Sequence, residues 1–214
     1  MTSSRDAWIV GATGLVGHQA LLALLKDPAF SHVLAIVRRP TGLAHEKLEE
    51  RVLDFEALSR ELLGLKTDVA ICCLGSTIKQ AGSQKQFRHI DFDYALAFAQ
   101  SARAGGAKHF IVVTALGADA KSRVFYNRVK GELEQALATF GFDALTIVRP
   151  SLLLGARTKQ RLGERIAGPV MRFLPKSVRG IEARKVGRAL VRFAREPAAG
   201  TRIVLSKELQ DLTV

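Results

Sequence analysis

Three glycines near the start of the chain, Gly11, Gly14 and Gly17, constrain the fold more than any other feature. The apolar run 7–10 precedes them, and the segment 18–25 that follows has the composition of a helix. A strand, a glycine turn and a helix in this order are typical of dinucleotide binding. Gly11 would permit the tight turn, Gly14 the approach of backbone N–H groups to a pyrophosphate, and Gly17 close packing of the helix on the strand. The spacing is GxxGxxG, and without this context it would be weak evidence.

Apolar segments alternate with amphipathic ones along most of the chain. Strands are predicted at 32–37, 51–55, 67–75, 108–114, 145–148 and 201–205. Helices are predicted at 18–25 and 123–140, and a further helix begins with Asp91 or Asp93 as its N-cap and ends at residue 104. The polar segment 78–85 is a long connection of the kind that is often functional. This alternation predicts a doubly wound parallel α/β sheet with right-handed crossovers. We expect one domain over residues 1–214, in which 151–200 forms a small cap over the carboxyl ends of the strands.

Two arginines, Arg38 and Arg39, follow the second predicted strand. An NAD-binding unit usually has an acidic residue about 20 residues beyond the glycines, where it holds the 2′-hydroxyl of the ribose. A guanidinium instead offers a planar fork of donors to the oxygens of a 2′-phosphate. Two solvated arginines at a strand end are the alternative. The missing acid favours NADP(H) over NAD(H).

Tyr126 and Lys130 carry the candidate chemistry. They are four residues apart on a predicted helix, so their side chains lie on one face. A phenol has a pKa near 10, and a nearby ammonium lowers that pKa and makes proton exchange with a carbonyl or alcohol oxygen feasible. A packed tyrosine beside a surface lysine is the alternative. The pair follows Thr114, however, at the carboxyl end of a predicted strand, and open α/β sheets bind ligands at that edge.

Together these features resemble the short-chain dehydrogenase/reductase superfamily. More narrowly, the chain is similar to the atypical branch around the HIV Tat-interacting-protein oxidoreductases and to NmrA-like proteins. The matching segments span most of the chain and are 11–17, 38–39, 52–55, 72–77, 104–110, 126–132 and 148–150. The resemblance implies a Rossmann fold with strand order 3-2-1-4-5-6-7 and bound NADP(H).

The resemblance also implies roles for single residues. Tyr126 would be the catalytic acid or base, Lys130 would lower its pKa and hold the nicotinamide ribose, and Thr114 would orient the substrate carbonyl. Relatives often have two consecutive hydroxyl residues where this chain has Thr114 and Ala115. This departure puts turnover in doubt and leaves cofactor binding untouched.

For the cofactor, the resemblance places Asp54 at the adenine, Gly75 at the border of the cofactor and Pro150 beside the nicotinamide. The expected cofactor-binding residues are Gly11, Thr13, Gly14, Leu15, Val16, Gly17, Arg38, Arg39, Asp54, Phe55, Leu74, Gly75, Lys130 and Pro150.

The formal charge of +12 is the one unusual bulk property. Residues 157–195 hold twelve lysines or arginines against Glu164 and Glu182, which is compatible with nucleic acid, an anionic membrane surface or an anionic small ligand. The chain has no nucleic-acid-binding module and no aromatic residues interleaved with the basic ones, so we do not expect it to bind nucleic acid. Packing as a cap explains the apolar side of this basic region more simply than a membrane surface does.

The remaining features exclude further classes. The five histidines are scattered, and the only two cysteines, Cys72 and Cys73, are neighbours in an apolar run, so we expect neither a metal site nor a disulfide. No apolar stretch approaches the roughly 20 residues that span a bilayer, and the start lacks the pattern of a signal peptide. We therefore expect a cytoplasmic protein.

Two functions are compatible with these patterns. The first is an NADPH-dependent reductase, or reversible dehydrogenase, that acts on a small carbonyl compound; the arginines of the expected cap suggest an anionic one. The second is a non-catalytic NADP(H)-binding regulator that signals redox state through a protein partner, and Ala115 favours it.

Overall fold

The protein is described by a computed structural model over residues 4–155 and 179–213. The strands are β1 (Arg5–Val10), β2 (Phe30–Val37), β3 (Leu48–Val52), β4 (Val69–Cys72), β5 (His109–Val113), β6 (Ala144–Arg149), β7 (Leu153–Leu154), β8 (Ile181–Glu182) and β9 (Gly200–Leu205). The helices are α1 (Leu15–Lys26), α2 (Leu58–Glu61), α3 (Ile78–Ala81), α4 (Gln84–Arg88), α5 (Tyr94–Ala104), α6 (Phe125–Ala138), α7 (Ala183–Arg195) and α8 (Ser206–Asp211). A 3₁₀ turn covers Phe55–Ala57 and a π-helical turn covers His89–Asp93.

Seven strands form one parallel sheet in the order β3-β2-β1-β4-β5-β6-β9. This confirms the expected doubly wound order, because β9 is the seventh strand of the sheet. Strands β7 and β8 form a separate parallel pair, in which Leu153 lies opposite Ile181. The inner strands are mainly apolar because helices cover both faces of the sheet.

Each face of the sheet has its own apolar core. Alternate residues of β1 point to opposite faces, so Ile9 belongs to one core and Trp8 to the other. Helices α1 and α7 cover the first face, and α5 and α6 cover the second. On the second face the Trp8 and Phe98 ring centres are 6.5 Å apart. The strands are therefore held from both sides, and their carboxyl ends meet along one edge.

Helix α7 is the main described element of the C-terminal segment 151–200, for which the sequence predicts a small cap. It packs on α1 over the first face of the sheet, where a Cβ at Gly187 would lie only 2.7 Å from the backbone nitrogen of Ala20. An amphipathic pattern shows that one side of such a helix is covered but not by which element, and the structure identifies that element as α1. Residues 156–178 lie outside the described residues, so the rest of the cap, and the single domain over 1–214, stay predictions.

The segment 78–85 is also more ordered than the expected loop. Thr77 and Ser83 accept backbone N–H bonds from Gln80 and Gln86, both at 3.1 Å, and thereby cap the two short helices α3 and α4. Neither Asp91 nor Asp93 caps α5 with its side chain. Asp91 is instead fully buried and faces the candidate site.

Candidate cofactor and catalytic site

The glycine loop between β1 and α1 is a cradle that side chains would fill. Gly11 has a positive φ of 80°, and a Cβ there would lie 2.5 Å from the carbonyl oxygen of Cys73. The N–H of Gly14 donates to the carbonyl of Gly11 at 2.9 Å, and a Cβ at Gly17 would overlap that carbonyl oxygen. The loop is therefore pressed against the end of β4, and the N-terminus of α1 directs its unpaired N–H groups to the edge where an anion can bind.

One pocket lies at the ends of β1, β2 and β4, as expected for the adenosine half of a dinucleotide. The predicted residues that line it are Gly11, Thr13, Gly14, Arg38, Arg39, Phe55, Leu74 and Gly75. Both arginines are exposed, and the guanidinium carbon of Arg38 lies 5.7 Å from the centre of the Phe55 ring. The carboxylate of Asp54 does not line this pocket; it accepts the backbone N–H of Glu56 at 3.1 Å and caps the 3₁₀ turn.

A second pocket of about 700 Å³ continues from the first past Gly14, Leu74 and Gly75. The predicted residues that line it are Leu15, Val16, Thr114, Tyr126, Lys130 and Pro150. The structure thus brings the reactive pair and the glycine loop to one cavity. Of the predicted cofactor residues, Gly17 and Asp54 line neither pocket.

Tyr126 lies half-buried on α6, and its ring centre is 5.3 Å from that of Phe87. Burial raises the pKa of its phenol, the charge of Lys130 lowers it, and the charge of Asp91 raises it again. The net shift is upward. The effect expected of Lys130 is therefore present, but burial outweighs it because a phenolate is poorly solvated there. Tyr126 is a neutral phenol at physiological pH.

Lys130 forms a buried ion pair with Asp91. The Lys130 Nζ and Asp91 Oδ1 are 2.7 Å apart, and their side chains are 2% and 0% exposed. The other oxygen, Oδ2, accepts the backbone N–H and the hydroxyl of Ser76, each at 2.9 Å. A Cβ at Gly75 would lie 3.6 Å from Oδ1 and 3.7 Å from Nζ, so the loop after β4 lies directly over the pair.

Thr114 follows β5 and is buried. Its hydroxyl donates to Glu134 Oε1 at 2.6 Å. Glu134 in turn accepts from the guanidinium of Arg149, with Nε at 3.0 Å from Oε1. The only proton of the Thr114 hydroxyl is therefore engaged inside the protein, and Ala115 offers no second hydroxyl.

Sequence reasoning missed Asp91, Ser76 and Glu134. Asp91 stands among polar and apolar residues before a helix, where an aspartate is most often a cap. No residue pattern in the sequence predicts the π-helical turn that directs Asp91 inward. Glu134 was accessible in principle, since it continues the four-residue spacing of Tyr126 and Lys130 on α6.

The fold and the glycine cradle define a protein of the Rossmann type, built as a short-chain dehydrogenase/reductase is. A family model described as HIM1 matches residues 45–177, and the chain belongs to this family of atypical short-chain dehydrogenase/reductase proteins. It is 37% identical over 178 residues to Protein HTATIP2 of Rattus norvegicus, covering 81% of this chain and 73% of that protein. It is 31% identical over 206 residues to the mitochondrial Protein FMP52 of Candida albicans, covering 91% and 90%.

Solved structures agree on the fold. A short chain dehydrogenase family protein from Francisella tularensis superposes with a TM-score of 0.73 at 12% identity, covering 98% of this chain and 100% of the other. The Bordetella bronchiseptica enzyme WbmH, in complex with NAD⁺, gives 0.70 at 18% identity, covering 98% and 80%. At these identities the likeness shows the shared architecture alone.

The expected cytoplasmic location is contradicted. Relatives from several fungi, including Candida albicans and Debaryomyces hansenii, are named as mitochondrial proteins. The prediction rested on unpaired cysteines and on the lack of a long apolar segment or a signal-peptide pattern, and these do not distinguish one reducing compartment from another. In the described ranges no helix is long and apolar enough to cross a membrane, and no group of three His, Cys, Asp or Glu side chains could hold a metal ion.

Proposed function

We propose that the protein is an NADP(H)-dependent oxidoreductase of the short-chain type that reduces a small carbonyl compound to an alcohol. One observation carries the proposal: Tyr126 and Lys130 line the same cavity as the glycine cradle and the loop after β4. A dinucleotide on that cradle would have its reactive end beside a proton donor. Such a pairing of cofactor pocket and acid is what carbonyl reduction needs.

The residues of the pocket fit the chemistry. NADPH, when bound, supplies a hydride. Tyr126 donates its proton to the carbonyl oxygen, since burial keeps its pKa high and the phenol intact until reduction begins. The ammonium of Lys130 stabilises the phenolate that forms, because an opposite charge at short range favours the ionised form. Pro150 and Leu153 contribute apolar side chains to the lining of the same cavity.

The preference for NADP(H) is argued from Arg38 and Arg39. Both line the adenosine pocket and both are exposed, so their guanidinium groups are accessible to a ligand there. The guanidinium of Arg38 also lies over the Phe55 ring. A planar guanidinium in this place can in addition pack on the aromatic base of a bound cofactor. The pocket lining contains no acidic side chain among the described residues, so a 2′-phosphate there would contact the arginines and no carboxylate of the lining.

The cofactor preference is tested by titrating the protein with NADPH and NADH. We expect NADPH to bind at least about tenfold more tightly, since each charge-assisted contact to the phosphate contributes about 1.5–3 kcal/mol. Arg38→Asp should remove most of that preference, and Arg60→Asp, at a side chain of helix α2 that is 78% exposed, should not. Equal affinities in the wild type would contradict the phosphate assignment.

The wall of the catalytic pocket supports a neutral substrate. Leu116 and Leu152 are among the few large apolar side chains that are substantially exposed, at 36% and 52%, and both line this cavity. The one charged group in the lining of the described part is Lys130, which Asp91 neutralises. The anionic substrate suggested by the sequence rested on the twelve basic residues of 157–195, half of which lie outside the described ranges, and it stays an alternative.

A non-catalytic NADP(H)-sensing regulator is the second candidate. One observation favours it: neither residue 114 nor residue 115 offers a free hydroxyl to a substrate carbonyl. The Thr114 hydroxyl donates to Glu134, and Ala115 has no hydroxyl. Partner binding that depends on NADPH, without NADPH oxidation by any carbonyl compound, is the result that would distinguish this function from the reductase.

A further inference from the structure

The carboxylate of Asp91 stands between the reactive pair and the cofactor loop, and no role in the proposed reaction uses it. It is wholly buried, and its two oxygens have different partners: Lys130 on one side and Ser76 on the other. Removing a carboxylate and an ammonium from water costs several kcal/mol each, which is recovered only with good geometry and further hydrogen bonds. Asp91 Oδ2 accepts two hydrogen bonds from Ser76, and Oδ1 lies 2.7 Å from the Lys130 Nζ without hydrogen-bond geometry, so the pair is held by charge and by the bonds to Ser76.

The backbone that carries Asp91 is unusual. It lies in the π-helical turn His89–Asp93 between α4 and α5, and such turns are rare and frequently occur at functional sites. The wider turn directs Asp91 under the loop after β4. That loop, through Gly75 and Ser76, lines both the adenosine pocket and the catalytic pocket.

We propose that Asp91 is a positioning residue that holds Lys130 as an ammonium and ties it to the cofactor loop at Ser76. Asp91 thereby fixes the position of Lys130 relative to the loop after β4, against which the cofactor would rest. The proposal rests on the function proposed above only for the contact between Lys130 and the bound dinucleotide, and turnover is not needed to test it.

The charges around Lys130 show why the carboxylate is needed. Burial alone lowers the pKa of Lys130, while Asp91 from the π-helical turn, Tyr126 from α6 and Cys72 from β4 raise it, and the net shift is upward. Burial raises the pKa of the Cys72 thiol to about 11, and the pKa of Tyr126 is raised as well. Both are therefore neutral at physiological pH. Of these facing groups Asp91 is the only anion. Without it the effect of burial would dominate and lower the pKa of Lys130, so the ammonium would lose its proton at a lower pH than in the wild type.

The test is the affinity for NADP⁺ between about pH 7 and about pH 9.5 in the wild type and in Asp91→Asn. The asparagine keeps an oxygen for Ser76 and removes the charge. We expect wild-type affinity to change little, and the affinity of Asp91→Asn to fall by about tenfold more than that of the wild type over this range as Lys130 becomes neutral. Glu132→Gln is the matched control, since it removes a half-exposed carboxylate that joins the same helix α6 to Arg88, and it should follow the wild type.

The double variant Asp91→Asn/Lys130→Met separates positioning from general damage. It has no buried charge at this place, so its affinity should be low but independent of pH over the same range. An Asp91→Asn variant that binds NADP⁺ as tightly as the wild type at every pH of the range would overturn the proposal. Failure of the wild type to bind NADP⁺ would instead contradict the cofactor function on which the proposal rests.

If Asp91→Asn does not fold, the wild type itself provides the measurement. The ¹³Cε resonance of Lys130, assigned by its loss in Lys130→Met, should keep its ammonium position beyond the ordinary lysine pKa of about 10.4. A transition below about pH 10 would show that Asp91 does not hold the proton and would contradict the proposal.

Discussion

His109 is the first residue of β5, at the edge of the sheet opposite the two pockets. It is 4% exposed, and its Nε2 lies 2.9 Å from the Thr146 hydroxyl, while its Nδ1 has no hydrogen-bond partner within the described part of the chain. Burial is the main cause that lowers its pKa to about 4, and the charge of Arg5 lowers it further. The neutral ring is therefore favoured in the folded protein.

This pKa makes stability depend on pH in a defined direction. In the unfolded chain histidine has a pKa near 6.5. The stability that the neutral ring contributes is therefore fully present above pH 6.5 and is lost as the pH falls from 6.5 towards 4. We expect His109 to contribute about 2 kcal/mol to the loss of unfolding free energy between pH 7 and pH 4.5. Urea unfolding of the wild type and of His109→Gln at the two pH values measures it. An equal loss in both proteins would show that His109 is not responsible.

Single residues are also where sequence reasoning was least complete. Tyr126, Lys130 and the glycines could be predicted because their spacing is tied to local structure. Asp91 could not be predicted, since its partners Lys130 and Ser76 come from segments distant in the chain. The raised pKa of Tyr126 could not be predicted either, because it depends on burial, which a motif does not record.

Helix α6 carries the tyrosine and the lysine that line the second pocket. Tyr126, Lys130 and Glu134 follow at four-residue steps and so share one face. The last of them fastens the helix to β5 through Thr114 and to β6 through Arg149. The position of the reactive pair therefore depends on an ion pair one turn further along the same helix.

We expect Glu134→Gln to lower the free energy of unfolding by about 2 kcal/mol, because it leaves Arg149 without its charged partner in a largely buried place. Glu132→Gln, two residues away, should cost less than about 1 kcal/mol, since its pair with Arg88 is partly exposed. Chemical denaturation of both variants makes the comparison. Equal losses would mean that the buried network does not anchor α6.

Strands and helices could be predicted where their residue pattern fits only one kind of structure. The inner strands are continuous apolar runs that only a sheet covered on both faces accommodates, and all of them were found. The residues of helix α7 were placed in the C-terminal cap without a packing partner, because periodicity identifies a covered face and not the element that covers it. The short helices α3 and α4 were missed because five residues or fewer give no periodic pattern.

At the scale of the whole molecule, the parallel sheet brings distant segments to one edge. The loops after β1, β2, β4, β5 and β6 each contribute to the two joined pockets. Parallel strands end on the same side, so residues separated by more than a hundred positions, such as Gly14 and Pro150, line one cavity. This general placement follows from the strand order and was predictable. The substrate and the cellular location are not properties of strand order.

The most direct test of the proposed function is NADPH oxidation in the presence of a panel of neutral and carboxylate-bearing aldehydes and ketones, with wild type and Tyr126→Phe compared. The wild type should turn over at least one of them. Tyr126→Phe should lose about 100-fold or more in kcat/KM, the usual contribution of a general acid, while NADPH binds within about twofold of the wild type. Equal rates in the two proteins, or no oxidation by the wild type with any carbonyl compound, would contradict the assignment of Tyr126 as the proton donor of a reductase.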